Sequence, residues 1–222
     1  MKTFKTLLST LGHFAILTLL LLSARSYAQN AAPAMALDKI VETTFEVRDF
    51  EVWKPLFLKD SLMRRQHGIE TIVISSKAGH PLQLMTVSMV KDVKQAQDFI
   101  KDPSFLKRTG ERGVTNVRSE YYEVMRFNPD AQEPRWLIMD FKVKDYEVWL
   151  KDFDKGQTLR SDAGLVDVLI ARDINHPLKI QVVLDMKDIN KAKALMTSEI
   201  LKERMKNAGV IGKPNVEYYE GR

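Results

Sequence analysis

The chain has 222 residues, 45% of them hydrophobic, which is enough apolar material for one sizeable core or two small ones. It has no cysteine, so disulfides and thiolate chemistry are excluded and the core must hold unaided. The formal charge of +5 includes Lys2, Lys5 and Arg25, which stand in the first 28 residues with no acid beside them. The remainder carries only +2, mixed in sign, with no basic block and no aromatic interleaving, which excludes a nucleic-acid binder.

Taken in chain order, the first segment does not read as part of a fold. Lys2 and Lys5 precede an apolar run from Phe14 to Leu22, interrupted only by Thr18, and Ser26-Tyr27-Ala28 puts small residues where a signal peptidase reads. Residues 1–28 are predicted to be a secretory signal peptide cut after Ala28. The product is then periplasmic or secreted, with no stable membrane anchor once the signal is gone. The run is too short to span a bilayer comfortably, and no cysteine follows it to carry a lipid.

After a linker at 29–37, the chain says the same thing twice. "VRDFEVW" at 47–53 returns as "VKDYEVW" at 143–149, a displacement of 96. Phe57 matches Phe153, Arg64 matches Arg160, Gly68 matches Gly164 and His80-Pro81 matches His176-Pro177 at that spacing. "EYYE" at 120–123 returns at 217–220, displaced by 97, which points to one extra residue in the final loop. Two copies, 38–127 and 134–222 joined by a linker at 128–133, mean two fused units rather than a solenoid.

Within each copy the periodicity is legible. Val41, Thr43, Phe45 and Val47 alternate, as do Leu137, Met139, Phe141 and Val143, which predicts a strand. Asp49 and Asp145 stand as helix N-caps, ahead of Phe50, Trp53 and Phe57 or Tyr146, Trp149 and Phe153 at helical spacing. Pro55 is deep enough to kink the first helix, and Gly68 and Gly164 suit the left-handed C-terminal position. The tryptophans read as core. Apolar runs at 69–76 and 82–90, and at 165–172 and 178–186, form hairpins hinged at "GHP" and "NHP". Asp92 and Asp188 cap a second helix, and a last strand carries "EYYE". Each copy is β-α-β-β-α-β, the ferredoxin-like arrangement. Ile72 and Ile74 oppose Ile69 and Val73, so both sheet faces are apolar and the second must be covered. The other copy is the nearest candidate.

The unit "V-x-D-[FY]-E-V-W-x-x-x-F … R-x-x-x-G … HP … D-x-x-x-A … AGV-x-G-x-P" resembles small bacterial proteins of the dimeric α+β barrel superfamily, which includes antibiotic-biosynthesis-monooxygenase-like proteins and haem-degrading enzymes. The resemblance implies an α+β fold in which two units pack through their antiparallel sheets, here as a barrel within one chain. It says little about activity, because the fold hosts many.

If Val41, Phe45, Met139 and Phe141 face helices, then Glu42, Thr44, Ile138 and Asp140 face the barrel interior. A carboxylate buried there has a raised pKa and can act as a base. The catalytic candidates are Asp140, Glu42 and His67, the last an unmatched histidine that could be a base or a haem ligand. Glu42 matches Ile138 rather than Asp140, so the two acids are not repeat equivalents. Candidate ligand-binding residues are Gln83, Gln181 and Asp185 on the hairpin strands, the hydroxyls of Tyr122 and Tyr219, and Arg64 and Arg160. Both arginines read first as bonding helix carbonyls, with anion binding as the alternative. No metal set, phosphate loop or G-x-S-x-G is present, and no cofactor is expected.

Three functions follow. The first is an exported binding or accessory protein holding a small apolar or aromatic molecule in an enclosed lumen. The second is a cofactor-free monooxygenase-like or isomerase-like enzyme on such a molecule. The third is a haem-handling protein acting through His67. A further homodimer is compatible with all three.

Overall fold

The computed structural model describes residues 37–131 and 134–222. The signal segment falls outside the described residues, all of which belong to the compact unit Ala36–Arg222. The first repeat is β1 (Lys39–Val47), α1 (Phe50–Lys59), α2 (Ser61–Gln66), β2 (Ile69–Lys77), β3 (His80–Val90), α3 (Val93–Ile100), α4 (Pro103–Glu111) and β4 (Val114–Phe127). The second is β5 (Arg135–Val143), α5 (Tyr146–Lys155), α6 (Gln157–Asp162), β6 (Leu165–Asp173), β7 (Lys179–Met186), α7 (Ile189–Thr197), α8 (Glu199–Asn207) and β8 (Val210–Gly221).

All eight strands are antiparallel and close into a barrel in the order β1-β3-β2-β8-β5-β7-β6-β4. Each repeat contributes four neighbouring strands in ferredoxin-like order. The halves are joined where β2 meets β8 and β4 meets β6. Fusion therefore makes inside one chain the closed sheet that leaves no edge strand.

The caps sit where the sequence places them. Asp49 accepts from the backbone N–H groups of Glu51 and Val52, and Asp145 from that of Val148. Gly68 and Gly164 have φ of +67° and +70°. Trp53 and Trp149 are buried between Phe45 and Phe57, and between Phe141 and Phe153.

Several details differ from the sequence reading. The first helix of each copy is two helices, and Pro55 is not the cause. The break falls at Asp60 and again at Gly156 in the repeat that has no proline there. A further helix, α4 or α8, follows α3 or α7, started by the caps Asp102 and Ser198. The "GHP" hinge is shorter than expected: the turn is Ala78-Gly79, and His80-Pro81 already belong to β3. Ile72 and Val168 are the extra residues of β-bulges, between Thr71 and Val73 and between Asp167 and Leu169. A bulge resets alternation, so Ile74 and Ile170 join the helix-facing clusters while Leu169 turns inward.

The residue behind the 97 spacing also lies in a strand, not in a loop. Between Thr44 and Glu46, β4 bulges by one residue, with Asn116 at φ 54°. Between Asp140 and Lys142, β8 bulges by two, starting at Gly212 with φ 73°. The wider bulge lies against the candidate site.

Candidate functional site at the barrel mouth

Part of the lumen is filled by side chains. Ile40, Tyr122 and Ala171 form one internal cluster, and Met85, Ile138 and Tyr219 another. The remainder opens at the end where β1 and β5 finish and β4, β7 and β8 begin, as a cleft of about 470 Å³. Glu42 and Thr44 line it from β1, Arg118 and Glu120 from β4, Asp140 from β5, Lys179 from β7, and Lys213, Asn215 and Glu217 from β8. The walls are charged, where the sequence reading expected an enclosed apolar lumen. Alternation put acids on the inner face, but periodicity alone cannot show which end of a lumen stays empty.

β1 and β5 lie opposite each other in the ring. Gln181 is paired with Asp140 across β5 and β7, and its buried amide Nε2 donates to Glu42 Oε2 at 3.0 Å and Asp140 Oδ1 at 3.4 Å. One amide thus holds two carboxyls from facing walls. Burial, reinforced by the nearby Asp140 charge, pushes Glu42 from its ordinary 4.5 to about 8. Burial also raises Asp140, to about 6, against the pull of the Lys179 ammonium. Near neutrality the pair therefore holds one proton, with Glu42 the acid and Asp140 the carboxylate.

Behind them, the Tyr122 hydroxyl donates to Glu120 Oε2 at 2.8 Å and lies 3.3 Å from Asp140 Oδ1. Glu120 also accepts from Lys179 at 2.8 Å and Arg118 at 2.7 Å. Burial would raise Glu120, but the hydrogen bonds from Lys179, Tyr122 and Arg118 outweigh it and hold it near 2. The second repeat copies the tyrosine–glutamate part: Tyr219 donates to Glu217 at 3.1 Å, and Lys77 completes the cluster.

Of the sequence candidates, Glu42, Asp140, Gln181 and Tyr122 meet at the mouth. Tyr219 belongs to the matching cluster around Glu217. Gln83 sits at the rim and donates to Glu46. Asp185 is buried further along β7. Arg64 and Arg160 are in the helix layer, each donating to a helix carbonyl, of Phe57 and Phe153. His67 also lies in that layer, stacked on the Phe99 ring at 4.3 Å. No cluster of metal-ligating side chains occurs among the described residues.

Glu120, Glu217 and Lys179 were missed. Glu120 and Glu217 stand two residues before the chosen tyrosines, so they share the inner face. That signal was in "EYYE". Lys179 matches Gln83, and nothing in the local sequence separates it from other strand-end lysines.

No family model matches the chain, and no curated relative does. Solved structures do. An anthrone oxidase-like protein superposes with a TM-score of 0.54 at 15% identity, over 84% of this chain and 92% of the other. A candidate monooxygenase from Lactobacillus acidophilus NCFM gives 0.52 at 10% identity, over 83% and 94%. This chain has the dimeric α+β barrel fold. Both likenesses run across the two repeats, so the tandem barrel, and not one ferredoxin-like half, is the shared object. At these identities they carry the fold and no chemistry.

Proposed function

We propose that the chain is a cofactor-independent acid–base enzyme for a small polar molecule bound at the barrel mouth. The observation that carries this reading is the Gln181 amide holding Glu42 and Asp140 together with their proton affinities set apart. Two carboxyls so tuned suit removal of a proton from one atom and delivery to another. Asp140 takes a proton from carbon beside a carbonyl, and Glu42 supplies one to the carbonyl oxygen. Reversal at the neighbouring carbon completes an isomerisation with no other reagent. Lys179 and Arg118 serve as cationic anchors for an oxygen-rich substrate. In the monooxygenase-like variant of this reading the substrate anion meets oxygen, the kind of activity for which the two structures of like fold are named, although that likeness is one of fold.

The reading is tested by incubating the protein in D₂O with a panel of hydroxylated ketones, keto acids and phenols, and following hydrogen exchange at carbon by NMR. Exchange that Asp140→Asn abolishes supports it, and oxygen uptake in the same vials separates the oxygenase variant. Saturable binding with no exchange and no oxygen uptake would leave the binding-protein reading in its place.

We also propose that the protein works outside the cytoplasm, on the strength of residues 1–28. Amino-terminal sequencing of the protein from the host's periplasm tests this, with Gln29 expected as the first residue.

A further inference from the structure

Arg64 and Arg160 hold the same place in the two repeats, and both are more than nine-tenths buried, at 7% and 8% exposure. Each donates from Nη1 to a helix carbonyl at 2.7 Å and lies over a phenylalanine ring, at 3.7 and 3.6 Å from the centroid. The other edge of the guanidinium separates them. Arg160 grips both oxygens of Asp167, Nε and Nη2 each at 2.7 Å. In the first repeat Thr71 stands where Asp167 would be, and its hydroxyl is taken by Ser88 at 3.0 Å. The buried Arg64 Nε has no hydrogen-bond partner among the described residues. Asp60, whose charge acts on Arg64, is engaged by Arg112.

Space accompanies the missing carboxylate. In the second repeat, β4 pairs along β6 from Tyr122 to Phe127, and Asn128 roofs Asp167 through its backbone oxygen. In the first, β8 meets β2 only at Ser75–Lys77. Beside Arg64 a cavity of about 460 Å³ is left, walled by Phe57, Leu58 and Ile72 and edged by Arg65, Arg222 and Glu70. Three arginine side chains and one acidic side chain, Glu70, line it, so its side chains favour an anion. The apolar wall favours one with a hydrocarbon body. A buried donor edge without an acceptor is costly, and a planar carboxylate satisfies it with two parallel bonds.

We propose that this cavity is a receptor for a small organic carboxylate with an apolar body, whose two oxygens take the Nε edge of Arg64 as Asp167 takes that of Arg160. The site is in the helix layer, apart from the barrel mouth, and stands or falls independently of the acid–base reading.

Octanoate is a suitable probe, with 1-octanol as its uncharged control. Titration of the full chain, followed by ¹H–¹⁵N NMR, is expected to shift the Arg64 Nε–H and the amides of Ile69–Ile74 saturably with octanoate and not with octanol. Thr71→Asp supplies the carboxylate of the sister repeat. It is expected to weaken octanoate binding at least tenfold while the melting temperature holds or rises. No saturable shift at Arg64 Nε–H in the unaltered protein would overturn the proposal, and this readout needs no variant. Octanoate affinity unchanged in a folded Thr71→Asp protein would overturn it equally.

Discussion

Gln181 Nε2 lies 3.0 Å from Glu42 Oε2 although the two residues are 139 positions apart and come from different repeats. The bond spans the lumen from β7 to β1 and closes the floor of the mouth. The bond itself favours the Glu42 carboxylate, but burial and the Asp140 charge outweigh it and leave Glu42 the more basic of the two.

That assignment has a stability consequence of definite sign. Glu42 is raised in the folded chain, so the folded state binds a proton that the unfolded state releases above pH 4.5. Its contribution is complete at lower pH and is lost as pH rises toward about 8. Glu42→Gln removes the effect. Melts from pH 5 to pH 9 should show the unaltered protein losing on the order of 3 kcal/mol relative to the variant across that range. Parallel curves would refute the assignment.

Activity at the mouth should follow a bell. It rises as the pair loses its first proton near pH 6 and falls as it loses its second near pH 8. Asp140→Asn should cut turnover by about 10²–10⁴ while ligand affinity, read by calorimetry, changes little.

The Arg160–Asp167 pair is a structural element of the second repeat, with both guanidinium bonds at 2.7 Å. Asp167→Thr reproduces the first repeat there, under the Asn128 roof. Leaving a buried guanidinium edge unmatched should cost about 2–3 kcal/mol in denaturant unfolding. A loss below about 0.5 kcal/mol would mean that the fork contributes little.

Gly164 has φ +70°, and a Cβ there would stand 3.2 Å from the backbone nitrogen of Asp188. Gly164→Ala should destabilise by about 1–3 kcal/mol from strain at a left-handed position. Because the contact is with the cap of α7, hydrogen exchange should quicken first in that helix.

Much of this molecule was legible in 222 letters because it was written twice. Phe45 against Phe141 and Trp53 against Trp149 fixed the strand and helix faces independently in each copy, and Asp49 and Asp145 fixed where the helices start. The inward turn of Glu42 and Asp140 followed from alternation. What alternation could not supply was the bulge at Ile72, which exchanges the faces beyond it, because a bulge depends on pairing with another strand. Nor could it show that Lys179 would cross to Glu120, 59 positions away. That contact exists only once the β4–β6 joint has closed the ring.

The extra residue absorbed by the β8 bulge bears on how such a site can arise. Two identical chains meeting about a twofold axis must repeat every change, so a mouth built from two copies of 38–127 would carry two Glu42 residues and two Thr44 residues. It would have no Asp140, because the first repeat has Thr44 at that position. Joined in one chain, the halves are free to specialise. One wall keeps the acid, the other supplies the base, and one strand can lengthen without its counterpart. Separately expressed halves would rebuild this mouth only by pairing unlike with unlike. Each self-pairing would give a barrel of similar outline with the acid–base couple missing.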